Sequence, residues 1–210
     1  MKRVVVDGNG TPTPQYHEWV QRGAAYEYSV LEAGAKNGKV EDLTVKDVLM
    51  DIVLFQSVFS CVHLLQTLEL DNNLFAGTHW DGPVNAWRFW DAVKTLKKLR
   101  VLRLKRNSRL FLQREATKDG LDALMNLEEL RLEGMVMPDE FSFWCFKGPT
   151  AKGRKLAKVV LANIRVRNRE RLAEISAEQF NFKTDGRELE MVVYGSTNVQ
   201  ERLQAEGFSL

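Results

Sequence analysis

Apolar residues return along this chain with a short inner alternation and a long outer period. Leu65-Gln-Thr-Leu68-Glu-Leu70-Asp-Asn-Asn73 has the spacing Leu-x-x-Leu-x-Leu-x-x-Asn. Leu99-Arg-Val-Leu102-Arg-Leu104-Lys-Arg-Asn107 repeats it 34 residues on, and Leu127-Glu-Glu-Leu130-Arg-Leu132-Glu-Gly-Met135 follows 28 later with Met in the Asn slot. Weaker copies keep the phase at Val40/Leu43/Val45/Val48, Leu156/Val159/Leu161/Ile164 and Leu189/Val192/Tyr194/Thr197. Met1, Val4, Val6 and Asn9 fit the same slots at the start of the chain. The x-Leu-x-Leu-x core predicts a short strand with its leucines on one side, because side chains alternate across a strand. Strands so spaced pair in parallel, and each needs a return segment long enough for a helix.

The return segments read as helices. Thr44 to Ser60, Pro83 to Leu96, Lys118 to Met125, Arg169 to Gln179 and Pro14 to Leu31 carry apolar residues mostly at helical spacing. Pro83 suits a first helical turn, and Gly23 weakens the earliest of these helices. Trp87 and Trp90, three residues apart, read as core. The Asn slot falls where the chain leaves each strand. There Asn73 and Asn107 are expected to be buried and bonded to backbone.

On these motifs the chain resembles the leucine-rich-repeat superfamily. Its 25–34-residue steps with helical returns are similar to the intracellular, ribonuclease-inhibitor-like and F-box-associated types. The resemblance implies an α/β leucine-rich-repeat solenoid of about six or seven irregular repeats, with a curved parallel sheet inside and helices outside. It covers residues 1–210 as one domain, most securely 40–197. No F-box segment precedes the repeats, so adaptor binding does not carry over. Strand-like Val4-Val5-Val6 at the start leaves no polar cap. That reads as a fragment of a longer chain, or as an end covered by something else.

Composition narrows the class of function. The chain has 210 residues, 44% of them hydrophobic and 28% charged, which suits a folded domain. Its net charge of +2 excludes a global field strong enough to bind nucleic acid or an anionic membrane by itself. The charge is nonetheless lopsided. Residues 1–93 hold 7 basic and 12 acidic residues; residues 94–210 hold 23 and 16. The two cysteines, Cys61 and Cys145, read as buried thiols in a reducing compartment. The longest uncharged run, Ile52 to Leu68, is interrupted by polar residues and does not read as a membrane span. The chain is expected to be intracellular, cytoplasmic or nuclear.

Candidate chemistry is that of a binding surface. Strand alternation turns Glu69, Asp71, Arg103, Lys105, Arg131 and Glu133 toward the expected concave face, the face that solenoids use for partners. The same charges also read as a self-neutralising ladder, Glu69 beside Arg103 and Lys46–Asp71–Lys105–Glu133 alternating in sign. Val160, Ala162, Val193 and Gly195 extend these rows as a small apolar surface that could also meet a partner. Two stretches are strongly basic. Residues 94–114 hold nine Lys+Arg and no acid, and 147–171 hold nine with Glu170 alone against them. They offer an alternative reading as a nucleic-acid or phosphate-binding module. Arg165, Arg167 and Arg169 at a two-residue step, and Trp80 in a turn-rich loop, are further contact candidates. The histidines are scattered, and neither a zinc spacing nor a phosphate loop nor a nucleophile elbow occurs. The expectation is therefore a protein-binding module, plausible in target recognition for a ubiquitin-ligase-type or regulatory complex. It is not an enzyme, and it uses no cofactor, metal or membrane.

Overall fold

The computed structural model describes residues 2–7, 39–47, 49–51, 59, 62–76, 84–106, 114–137, 155–163, 165–166 and 190–194. The principal sheet has seven strands: β1 (Lys2–Asp7), β2 (Val40–Lys46), β4 (Thr67–Asp71), β6 (Val101–Lys105), β7 (Glu129–Glu133), β9 (Lys158–Ala162) and β11 (Glu190–Tyr194). They lie side by side in chain order, and every pairing is parallel. Each strand therefore enters and leaves the sheet in the same sense, which is compatible with an α/β repeat.

The register follows the leucine slots. Val4, Leu43, Leu68, Leu102, Leu130 and Val159 stand in one row, with Val6, Val45, Leu70, Leu104, Leu132 and Leu161 in the next. From β2 to β9 these side chains are buried. Each is worth roughly 1.5–3 kcal/mol in removal from water. At β11 the structure departs from the expected phase. Met191 and Val193, not Val192 and Tyr194, stand level with Val159 and Leu161. The slip is one residue, and it exchanges the two faces of the strand. The Val160 and Ala162 rows therefore continue into Val192 and Tyr194, rather than Val193 and Gly195.

Between the strands, two helices are described. Helix α1 (Val84–Val93) falls within the expected Pro83–Leu96 segment and ends where Thr95 Oγ1 donates to the Ala92 carbonyl, 2.7 Å. Helix α2 (Arg114–Ala123) starts four residues before the expected Lys118. Its first turn packs inward through Ala116 and Thr117, both fully buried and neither conspicuous in a hydrophobic pattern. The expected Thr44–Ser60 helix is overturned at its start. Thr44–Lys46 completes β2, and β3 (Leu49–Asp51) pairs with β5 (Leu74–Ala76) in a second, two-stranded parallel sheet. A third such sheet joins β8 (Val136–Met137) to β10 (Arg165–Val166). The expected helices at 14–31 and 169–179 lie outside the described residues.

Where α1 meets α2, a glycine sets the distance. A Cβ at Gly120 would lie 2.2 Å from Trp90 Cε3, so the indole rests directly on helix backbone. Phe89 meets Trp90 edge-to-face with ring centroids 5.3 Å apart, and both are buried. Trp87, expected in the core, is 37% exposed.

One backbone device recurs at the end of the strands. Asp47, Asn72, Arg106, Gly134 and Asn163 all have φ between 51° and 62°. Each follows the last residue of a principal strand, and the amides of Asp47, Asn72, Arg106 and Gly134 donate to the terminal carbonyl of the next strand. The left-handed residue seals the ladder and turns the chain off the sheet. Gly, Asn and Asp tolerate this conformation; Arg106 is the exception. One residue later Asn73 is buried, and its Nδ2 donates to the Val45 carbonyl at 2.9 Å, as expected of the Asn slot. Met135 fills that slot as a buried apolar residue, and Asn107 lies outside the described residues.

Candidate functional site

The face of the principal sheet opposite the leucines carries the candidate residues, and the register brings them together. Glu69, Arg103 and Arg131 lie level on β4, β6 and β7; Asp71, Lys105 and Glu133 lie level one step further along. Neighbouring strands are about 4.8 Å apart, so charges on adjacent strands come within reach of one another. Glu69 receives Lys105 Nζ at 2.7 Å and Arg103 Nη1 at 3.7 Å. Arg103 Nε also donates to Glu129 at 3.2 Å. Arg131 folds along its own strand onto Glu133, with Nε and Nη2 each 2.9 Å from one carboxylate oxygen.

The ladder is therefore diagonal rather than straight. The Glu69–Arg103 neighbour pair is as expected, but Lys105 reaches diagonally to Glu69, and Glu133 is taken by Arg131. Side-chain length causes this, since an ammonium on a four-carbon stem reaches the neighbouring row. Arg103 and Arg131 stand side by side, and each leans onto carboxylates that separate like charges.

Asp71 leaves the candidate set as an accessible contact. It is only 7% exposed, and its carboxylate is held by Arg106 through Nε and Nη2, both at 2.8 Å. The Asp71 bond and charge raise the Arg106 pKa further above its ordinary value. Arg106 was not a sequence candidate. Its signal was present, as an arginine standing where neighbouring repeats hold Asp47, Asn72, Gly134 and Asn163. The expected apolar contact surface is also corrected. Val160 and Ala162 are 4% and 3% exposed, so β9 is buried on both faces. That is why its second face is apolar. Thr44, level with Glu69 on β2, is buried too. What stays partly open is a block of Glu69, Arg103, Lys105, Arg131 and Glu133.

Trp80, Arg167 and Arg169 lie outside the described residues. Arg165 is in β10, level with Val136. Among the described residues, no group of three His, Cys, Asp or Glu could hold a metal ion, and no helix is long and apolar enough to cross a membrane.

At the opposite rim, where the strands begin, a second polar row stitches the repeats. The Gln66 carbonyl accepts the amides of Arg100 and Val101; the Arg100 carbonyl accepts those of Glu128 and Glu129. Arg100 and Glu128 make two bonds, at 3.0 and 2.8 Å. The bond from Arg100 holds the Glu128 carboxyl below its ordinary range, aided by both charges of Arg100 and Lys155 and opposed by burial.

Fold and site together form a parallel repeat sheet, compatible with an α/β repeat, whose polar face is cross-linked by ion pairs. Neither the known protein families nor the curated proteins contain a match to this chain. Among solved structures, it is similar to an internalin from Listeria monocytogenes at 19% identity and a TM-score of 0.38. The likeness covers 76% of this chain and 34% of the internalin chain, so this chain spans about a third of that length.

Proposed function

We propose that this chain is a protein-interaction module, and that its contact surface is the polar face of the principal sheet over β4, β6 and β7. The observation behind this reading is the state of those side chains. Glu69, Arg103, Lys105, Arg131 and Glu133 form one half-open block, each held by an ion pair within the sheet. Long side chains already fixed lose little further rotamer freedom when a partner docks. Acids and bases alternate there, so a partner is selected by the pattern of charge rather than by net attraction. Target recognition in a ubiquitin-ligase-type or other regulatory assembly belongs to the same proposal and rests on the sequence resemblance alone. An intracellular setting is proposed from the sparse cysteines.

The test uses Arg103→Gln with Arg131→Gln. Reversal to Glu would set new acids beside Glu69, Glu129 and Glu133 and endanger folding, whereas Gln is shorter but polar and removes the positive charge without adding a negative one. Affinity capture followed by quantitative mass spectrometry should recover the wild-type partner at least tenfold less well with the double variant, at an unchanged circular dichroism spectrum. Equal recovery by the two proteins would remove the sheet face as the contact surface.

A further inference from the structure

The two basic stretches, far apart in sequence, converge on one groove. At the rim where the strands begin, Gln66, Lys98, Arg100, Asn126, Glu128 and Lys155 line an open groove of about 320 Å³. Lys98 and Arg100 come from the 94–114 stretch, and Lys155 comes from 147–171. Among the described lining residues three cations thus face one carboxylate, and Gln66 Nε2 donates to a second, Glu41, at 3.5 Å. Glu128 is occupied by its two bonds to Arg100 through Nε and Nη2. The Lys155 ammonium is held by a neutral acceptor, Asn126 Oδ1 at 3.0 Å, while Asn126 Nδ2 is fixed on the Lys97 carbonyl at 2.8 Å. Among the described residues no carboxylate forms an ion pair with Lys98 or Lys155. Among the described residues the groove keeps an excess of positive charge, with Asn126 orienting one of its sources.

Most other cations of the first stretch are consumed elsewhere. Lys94 bridges Asp91 and Asp119 at 2.6 and 3.3 Å; Arg103 and Lys105 serve Glu69; Arg106 serves Asp71. A nucleic-acid backbone needs cations strung along a path, and stacking partners where it is single-stranded. Among the described residues this groove has neither: its charge is concentrated at one point, and no described aromatic residue lines it. One doubly charged group facing Lys98, Arg100 and Lys155 matches it.

We infer that this rim groove binds a single phosphate monoester carried by a protein, a phosphorylated serine or threonine, through Lys98, Arg100 and Lys155. The site lies at the strand starts, apart from the sheet-face block, and does not depend on that block being a contact surface.

Fluorescence anisotropy of the full chain with a labelled phosphoserine peptide flanked by Gly and Ala tests it. The arms are the same peptide without phosphate and a 12-nucleotide single-stranded DNA. Saturable binding of the phosphopeptide, at least tenfold tighter than of its unphosphorylated twin, is expected. Lys98→Ala with Lys155→Ala should weaken it at least tenfold while the melting curve holds. Glu128→Gln, which removes the competing carboxylate, should tighten it about threefold. Arg103→Gln with Arg131→Gln should leave it unchanged, which separates this site from the sheet face. Absence of saturable binding, indifference to the phosphate, or equal binding by the lysine variant would overturn the inference. Tighter binding of the DNA, lost in the lysine variant, would overturn it in favour of nucleic acid.

Discussion

Arg106 is the residue at which local preference and tertiary demand conflict most openly. Its φ of 51° disfavours a residue with a Cβ, by about 1–2 kcal/mol. Its side chain lies over Gly134, whose absent Cβ would come within 3.0 Å of Arg106 Cγ, and it reaches back to the buried Asp71. The pair with Asp71 explains why an arginine persists there. Arg106→Ala and Arg106→Gly both lose this pair, but only Gly relaxes the backbone. The Gly variant should therefore be about 1 kcal/mol more stable than the Ala variant in urea titration. Equal midpoints would mean that the left-handed turn carries no strain. Asn73 works by the opposite principle, since its amide completes a buried carbonyl at Val45. Asn73→Ala should cost ~1–3 kcal/mol by chemical denaturation, through the unsatisfied group left behind. A loss below a few tenths would show that water reaches that carbonyl.

At the scale of elements, legibility followed the strength of the physical pattern. The leucine rows of β4, β6 and β7 could be read because a charged residue adjoins every leucine, leaving one face to bury. At β11 the run Met191-Val-Val-Tyr194 has no such alternation, so the sequence could not choose between two registers one residue apart. The observed register has a backbone signal in its favour. The left-handed step holds Asp47, Asn72, Gly134 and Asn163, and the sequence places Gly8 and Gly195 directly after β1 and β11. β3, β5, β8 and β10 are two or three residues long, too short to display a period. The diagonal ion pairs were hidden because they depend on side-chain reach, which slot counting does not include. Helix α2 shows propensity yielding to packing. Gly120 costs about 1 kcal/mol relative to Ala in a helix interior, yet Trp90 occupies the space of its Cβ. Gly120→Ala should lower stability by ~1–3 kcal/mol despite better helix propensity, and Trp90→Phe should reduce that penalty. Calorimetry showing Gly120→Ala to be stabilising would mean that α1 and α2 separate freely.

Over the whole molecule, the acidic and basic halves of the chain meet between β4 and β6. The sequence changes sign near residue 94, and Glu69 and Asp71 on the acidic side pair with Arg103, Lys105 and Arg106 on the basic side. Part of the opposite charge of the two halves is thus spent on an internal seam. The carboxylate of each of these pairs is largely buried, and salt screens such contacts weakly. Raising sodium chloride from ~0.02 to ~0.5 M should shift the melting midpoint by no more than a few degrees. A drop of tens of degrees would show that long-range attraction between the halves, rather than the seam and the leucine core, holds the sheet together.

The constant register between strands of unequal spacing has a consequence for how such a chain can be edited. Leu68, Leu102, Leu130 and Val159 occupy one row although 34, 28 and 29 residues separate them. The sheet therefore measures slots and ignores the length of what lies between. Excising residues 102–129 joins Val101 to Leu130 and carries the chain across the cut in the same slot. The shortened protein should fold with a sheet narrower by one strand, about 4.8 Å. Glu69 would then stand beside Arg131, an acid–base neighbour pair like the one it replaces. Strand and return segment together would then be a removable unit of length, and the width of the polar face a quantity set by how many units the chain strings together.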